Sequence, residues 1–466
     1  MKTIFVTIFE GIEGKNILRT PVVSTLLEDH EVTLVCLTKT KEKIAYYHAQ
    51  FTHPRIIFEY VPEIRLYGLD KFLASFRYFL LNTPTTRMRA EMWRQAYGTY
   101  PGYLCKLLFH WSLARRLVRR MVRYIDFHFV KNHSYDELFE RHHPRAVVAA
   151  QLFDEIEVHL IRAARKYRVP SIGLINTWDK VTARSALRLL PDTFIVYNSI
   201  VKSELMEHGD VAGENIFVAG IPQYDQLFDP KSLNHVASLY GVTLSKEYNS
   251  LDFFHKNKLD PDKRLILYAP MGTEYSATDW DVIDMLHELI TTHVWPDTQL
   301  FVRFPPNDFL DDRDITSRPW LRNYRPGHRF TGKRGPDWDM NFDDLESLTA
   351  TLASSAVLIC YASSISIDAA VMHLPVINLE FELRPTSLLI KSPTRFYALG
   401  HYRKALATGG IRLVHSRADL VEAVQNYLAS SKSDAEGRAR LVREQCEFTD
   451  GKAGRRIGEY ILARLG

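Results

Sequence analysis

Hydroxyl side chains crowd one short stretch, Tyr361-Ala-Ser-Ser-Ile-Ser-Ile-Asp368, between the apolar runs Val357-Leu-Ile-Cys360 and Pro375-Val-Ile-Asn-Leu379. The order reads as buried strand, serine-rich turn, short helix and buried strand. A helix start offers backbone N–H groups and a partial positive charge, which suit a diphosphate. Ser363, Ser364 and Ser366 add hydroxyl donors at the same point, with Tyr361 opening the turn. Asp368 falls about one turn further in, where a carboxylate would accept hydrogen bonds from ribose hydroxyls. The chemistry this pattern predicts is the grip on a nucleotide-linked substrate. The same residues would also serve as an ordinary capped crossover helix, since serine is a common cap.

Ligands of open parallel sheets bind beyond the carboxyl ends of the strands, so residues just past predicted strand ends are the other candidates. In the first half these are Glu10, Gly11, Glu13 and Gly14, then Gln151 and Asp154, then Asn176, Trp178, Asp179 and Lys180. In the second half they are Met271, Gly272, Thr273 and Arg303, besides residues 361–364. Glu13, Asp154 and Asp179, with Glu10, are the candidate general bases that would deprotonate an acceptor hydroxyl. Each would equally serve as a cap or a surface charge. Gly11 and Gly14 allow a tight turn and close approach of an acceptor, or simple strand–helix packing. Trp178 would stack on a sugar face. Gly272 and Thr273 would offer an N–H and a hydroxyl to phosphate, and Arg303 its charge. Asp279-Trp-Asp281 and Asp337-Trp-Asp339 have the spacing of carboxylate pairs that hold a divalent ion, but acids at helix entries are common for dipole reasons. No metal site is assigned. No dinucleotide fingerprint, Walker loop, HExxH motif, nucleophile elbow or Cys/His cluster is present.

The elements that must position these residues alternate. Strands are expected over 2–9, 31–37, 56–61, 146–150, 171–175, 193–197 and 216–219, with helices over 16–28, 155–167 and 199–208. A helical region, 68–142, interrupts the series. After Gly220-Ile-Pro222 the theme repeats, with strands over 264–269, 299–304, 357–360, 375–379 and 411–414. Alternation of this kind predicts doubly wound parallel sheets. At 466 residues the chain is too long for one core. The expected fold class is α/β, with two Rossmann-like domains facing a central cleft: an acceptor domain over 1–222 carrying the insertion, and a nucleotide-donor domain over 223–466.

The insertion is the most basic region. Between Arg87 and Arg123 stand nine Lys or Arg and one acid, Glu91. Over 104–123, Leu104, Leu107, Leu108, Trp111, Ala114, Leu117, Val118, Met121 and Val122 recur at helical spacing, with Arg115, Arg116, Arg119, Arg120 and Arg123 largely between them. This reads as one basic amphipathic helix. Such a helix rests on an anionic membrane surface, or packs on its domain with a solvated basic face, or, less in keeping with the chain, binds nucleic acid. A net charge of +4, with 46% hydrophobic and 24% charged residues, describes a globular protein and does not by itself imply a nucleic-acid partner. Cys36, Cys105, Cys360 and Cys446 are scattered, as reduced cytosolic thiols are. Neither a signal peptide nor a spanning segment is expected.

Three segments carry a family resemblance. Pro191-Asp-Thr-Phe-Ile-Val-Tyr-Asn-Ser199 with Val218-Ala-Gly-Ile-Pro-Gln-Tyr-Asp225 is similar to the last strand–helix–strand before an interdomain hinge. Leu265-Ile-Leu-Tyr-Ala-Pro-Met271 is similar to the first strand of a donor domain, and Cys360-Tyr-Ala-Ser-Ser-Ile-Ser-Ile-Asp-Ala-Ala370 to an Asp-Tyr-Ser-Ser pattern before a helix. Together they resemble the GT-B glycosyltransferases, in the branch shared with CDP-glycerol glycerophosphotransferases, capsule polysaccharide transferases and UDP-N-acetylglucosamine 2-epimerases. The resemblance implies donor binding in the second half, through Ser363 and Ser364 for phosphate and Asp368 for ribose. It also implies a last helix crossing back to the first domain, and no bound metal or other cofactor besides the nucleotide-activated sugar as co-substrate. The activity it implies is transfer of a sugar to a surface-glycan or lipid-linked acceptor, in the cytoplasm or at the inner face of its membrane. A CDP-polyol phosphotransferase, an NDP-sugar 2-epimerase and a non-catalytic nucleotide-sugar-binding module are the alternatives. One departure separates the chain from the phosphotransferases: in Arg303-Phe-Pro-Pro-Asn307, Pro305 stands where those relatives carry histidine. Arg303 cannot replace it as an acid or base, because a guanidinium does not titrate in the useful range.

Overall fold

The computed structural model describes residues 2–244, 250–330 and 338–465. It divides into two compact units: Met1–Asp225 with Ser232–Thr243 and Cys446–Gly466, and Gln226–Lys231 with Leu244–Gln445.

The first unit is built on a seven-stranded sheet. Its strands are β1 (Lys2–Thr7), β2 (Val32–Thr38), β3 (Ile56–Tyr60), β4 (Ala146–Ala149), β5 (Ser171–Leu174), β6 (Thr193–Val196) and β7 (Ile216–Val218). They lie in the order β3-β2-β1-β4-β5-β6-β7, and every pair is parallel. Residues buried on both faces explain the continuous apolar runs: Ile4, Phe5 and Val6 in β1 and Val147 and Val148 in β4 are all core. The order reverses between β1 and β4, which opens a crevice at their carboxyl ends. The helix Ala453–Leu462 packs on Pro21–Glu28, where a Cβ on Gly458 would come within 2.6 Å of Thr25. Asp225 fixes its start by accepting the N–H groups of Ala453 and Gly454 at 2.9 and 2.7 Å.

Two expectations change here. The stretch 10–14 is helical rather than a tight turn: Glu10 caps the short helix Gly11–Glu13, and Gly14 is right-handed at φ −57°. A π-helical segment, Gly14–Leu18, follows, so the helix expected over 16–28 starts afresh at Pro21, with Thr20 as its cap. The proline has no N–H to lose at a first turn, which makes it a natural restart.

The insertion comprises the helices Gly68–Phe76, Pro84–Tyr97, Tyr100–Leu113, Arg116–Phe129 and Asp136–His142. The single amphipathic helix expected over 104–123 is two helices, broken at Ala114 and Arg115. A buried charge network fastens the insertion to the sheet's helices. Arg188 donates to Asp70 at 2.8 Å and Asp126 at 2.7 Å, both on insertion helices, and to Glu155 on the helix Glu155–Lys166. Arg162 pairs with Asp126, Arg77 with Glu155 at 3.2 Å and His159 with Asp70 at 3.2 Å. Arg119 and Arg123 also face inward, onto Asp210 at 2.6 and 2.7 Å. Two arginines of the expected solvated face are therefore structural ties.

The second unit carries a six-stranded parallel sheet. Its strands are β8 (Arg264–Ala269), β9 (Thr298–Arg303), β10 (Asn323–Tyr324), β13 (Ser355–Cys360), β14 (Val376–Leu379) and β15 (Arg412–Val414), in the order β10-β9-β8-β13-β14-β15. A separate antiparallel pair, β11 (His328–Arg329) and β12 (Trp338–Asp339), lies in the chain between β10 and β13. The order reverses between β8 and β13, so the loops after Ala269 and Cys360 flank this unit's own crevice. Tyr268, Ile359 and Val302 lie in its core.

Candidate functional site

In the first unit the polar residues gather where β1 and β4 end. Glu13 is fully buried, and its Oε2 accepts the N–H groups of Phe9 and of Glu10, the latter at 3.0 Å. Glu157, also fully buried, accepts the Thr7 hydroxyl and the Gln151 N–H at 2.9 Å, while Thr7 accepts the Ala150 N–H at 2.8 Å. Lys180 is buried too, and its Nζ donates to Gln151 Oε1 at 2.8 Å and Asn176 Oδ1 at 2.9 Å. Above this buried layer stand half-buried charges. Lys39 Nζ is 3.3 Å from Asp154, whose side chain keeps 35% of its exposure, and Gln151 Nε2 donates to Glu10 at 3.3 Å.

Burial dominates the electrostatics of the lower layer. It pushes the Glu13 carboxyl up to about 8, the charge of Glu10 adds to this, and Lys180 and Lys39 counter it only in part. Glu157 is also raised, by burial first and then by Glu13. Desolvation disfavours the charged form of each, and the two carboxyls repel when both are ionised. Burial lowers Lys39, but Asp154, Glu10 and Glu13 outweigh it and hold the ammonium above its ordinary value.

A stability consequence follows. The raised Glu13 means that the folded state holds its proton more tightly than the unfolded chain, where a glutamate titrates near about 4.3. Its contribution is complete below that unfolded value and is lost as pH rises toward 8. Replacing Glu13 by Gln therefore flattens the fall of Tm between pH 5 and pH 8, with Glu157 leaving a residual slope. Melting curves at four pH values check this, and an unaltered slope would show that Glu13 is ionised in the fold.

The remaining first-unit candidates are Asp179, Trp178, Gly11 and Gly14. Asp179 is the half-buried residue before the helix Lys180–Ala183, and Trp178 beside it is half-buried. Gly11 and Gly14 are buried inside helical turns, so they offer no open turn to an acceptor. Lys39 and Glu157 were not anticipated. Lys39 directly follows β2, so the strand-end rule would have found it, whereas Glu157 lies inside a helix and gives no such signal.

In the second unit, Ser363 is half-buried and Ser364 exposed at the opening of the helix Ile365–Val371. Ser363 N–H donates to Tyr402 Oη at 3.3 Å. Ser366 lies deeper, in a buried network with Tyr402 Oη at 3.1 Å and Asn378 Nδ2 at 3.4 Å, so it offers no hydroxyl to a ligand. Tyr361 is a core residue whose hydroxyl donates to Phe381 O at 3.0 Å. Asp368 is nearly buried in the helix's first turn.

Several expected phosphate ligands are already engaged. Gly272, at φ +94°, donates its N–H to Asp279 at 2.8 Å. Thr273 donates its N–H and hydroxyl to Asp308 at 3.0 and 2.7 Å. Arg303 is buried, pushed down to about 10 by desolvation, and donates to Asp344 O at 2.9 Å and Ser347 at 3.1 Å. It holds the helix Phe342–Ser354 rather than facing a ligand. Unanticipated, Lys391 reaches the loop after β8, with Nζ 2.5 Å from Thr273 O.

Both members of the first carboxylate pair already have protein partners. Asp279 is buried, accepting the Tyr268 hydroxyl at 2.9 Å, and Asp281 pairs with Arg384 at 2.8 Å. Asp337 lies outside the described residues. Among the described residues, Asp70, Glu155 and His159 converge as metal ligands would. Arg188 and Arg77 already occupy the carboxylates among them, which is the opposite of what a cation needs.

The two doubly wound parallel sheets, each with its own reversal of strand order, are those of the GT-B fold. Solved structures share it at low identity. The chain is similar to the S. aureus MnaA–UDP complex (12% identity, covering 100% of this chain and 97% of that one, TM-score 0.54). It is similar to UDP-GlcNAc 2-epimerase from Neisseria meningitidis bound to UDP-GlcNAc (12%, 99% and 100%, TM-score 0.55). It is also similar to the wall teichoic acid polymerase TagF (11%, 100% and 88%, TM-score 0.50). No family model matches the sequence, and no curated protein matches it.

Proposed function

We propose that the protein is a glycosyltransferase that moves a sugar from a nucleotide-activated donor to an acceptor hydroxyl of a surface glycan or lipid-linked saccharide. The observation that carries the reading is the half-exposed Asp154 carboxylate, held by Lys39 at the point where the first unit's strand order reverses. In the reaction the acceptor O–H gives its proton to Asp154, the new glycosidic bond forms, and the sugar–diphosphate bond breaks to release nucleoside diphosphate. Ser363 and Ser364, at a helix opening in the second unit, are the proposed phosphate contacts, and Asp368 the ribose contact. Lys391, which donates to Thr273 O in the loop after β8, is the proposed cation for the diphosphate. Structures of the same fold with UDP or UDP-GlcNAc support a nucleotide-linked substrate.

One observation favours a second reading. Burial pushes the Glu13 carboxyl up to about 8 directly behind the half-buried Glu10, a pairing of carboxyls that proton exchange at a sugar carbon in a 2-epimerase would draw on.

The donor test is a thermal-shift series with UDP, GDP, dTDP, CDP and CMP and their sugar or glycerol conjugates. Wild type is compared with a Ser363→Ala/Ser364→Ala double variant. A nucleotide at a hundred times its Kd stabilises by about 2.7 kcal/mol. The expected result is one base giving a clear rise in Tm that the double variant loses. No shift from any nucleotide would remove the donor assignment.

A further inference from the structure

We infer that the helices Tyr100–Leu113 and Arg116–Phe129 form a docking face for an anionic lipid surface. Their outward stripes share one spacing. Leu104, Leu108 and Trp111 are 45%, 64% and 65% exposed, and Leu117, Met121 and Tyr124 are 79%, 56% and 63% exposed. Each set follows i, i+4, i+7, one face of a helix. On the second helix the opposite face is the buried one, through Arg119, Val122 and Asp126. Exposed apolar side chains on this scale are unusual on a surface that meets only water.

The geometry reverses the ordinary use of a basic amphipathic helix. Arg119 and Arg123, bound to Asp210, turn inward and clamp the helix to its unit, leaving the apolar stripe outside. Arg115, Arg116 and Arg120 are exposed, and among the described residues none of them has a carboxylate partner. Arg115 lies 5.5 Å from the Trp111 ring, at the joint between the helices. From Glu91 the chain carries no acid until Asp126. Apolar and aromatic groups flanked by unpaired arginines match the boundary between acyl chains and anionic headgroups. A second copy of the chain is the poorer occupant. An isologous contact would set this arginine-bearing patch against itself, with no acid to answer it. No helix among the described residues is long and apolar enough to span a membrane, so the contact is peripheral.

The test is sedimentation of the full chain with vesicles of phosphatidylcholine alone or mixed with phosphatidylglycerol. Two variants are compared: Arg115→Ala/Arg116→Ala/Arg120→Ala and Leu108→Ser/Trp111→Ser/Leu117→Ser. All six side chains are exposed, and an unchanged Tm confirms that each variant folds. Wild type is expected to sediment with the anionic vesicles only. At about 1 kcal/mol per arginine, the charge variant loses on the order of a hundredfold in partition, and the apolar variant also falls. Equal sedimentation with neutral vesicles, or unchanged binding by both variants, overturns the proposal. So does a dimer in light scattering that the apolar variant dissolves, in the absence of vesicle binding.

Discussion

Changing Asp154 to Asn lowers acceptor-dependent release of nucleoside diphosphate by about 10²–10⁴-fold, the range of a lost general base. The substitution keeps the shape of the side chain and its contact with Lys39 but removes the proton-accepting charge. Nucleotide binding is expected to survive, because the proposed phosphate contacts belong to the other compact unit. The measurement is a coupled assay for released diphosphate, run with and without acceptor, beside a nucleotide thermal shift. Activity within threefold of wild type would exclude Asp154 as the base and move the role to Glu10, a half-buried carboxylate bonded by Gln151. Conversion of the donor sugar without any acceptor would favour the epimerase reading.

Changing Arg188 to Leu costs about 3–5 kcal/mol of stability, the penalty for removing one partner from a buried charge cluster. The guanidinium is 1% exposed and bonds to Asp70, Asp126 and Glu155 together. Without it these carboxylates keep His159, Arg162 and Arg77 respectively, but each loses a partner in a medium that penalises unpaired charge. Because Asp70 and Asp126 belong to insertion helices, the loss should loosen the insertion first. In a unit of this size the Tm falls by about 10 °C, at roughly 2–4 °C per kcal/mol. Arg188→Lys should fall between the two, since an ammonium keeps the charge but not the planar fork. A melt of the leucine variant within 2 °C of wild type would show that the remaining pairs hold the insertion unaided.

The alternation of strand and helix was readable because strands buried on both faces need unbroken apolar runs, as in 264–269 and 357–360. The site was less readable. Position alone made Asp154, Gln151 and Lys180 candidates, since each follows a strand end. It could not say that Glu13 would be sealed below them. Nor could it show that Gly272 and Thr273 spend their donors on Asp279 and Asp308. Those partners come from 7 and 35 residues away in the chain, and hydrogen bonds of this kind leave no periodic trace.

The sequence by itself determined the class of fold, two doubly wound α/β units, and the basic, apolar character of the insertion, because local periodicity and composition encode both. Only the tertiary structure decided which charges are free. Arg119 and Arg123 read the same as Arg116 and Arg120 along the chain, yet Asp210 takes the first pair out of solvent and leaves the second exposed. Arg303 and Ser363 both stand at strand ends, yet one is buried under a helix and the other is accessible. Burial is a property of what packs above a residue, and that is set by segments far away in the chain.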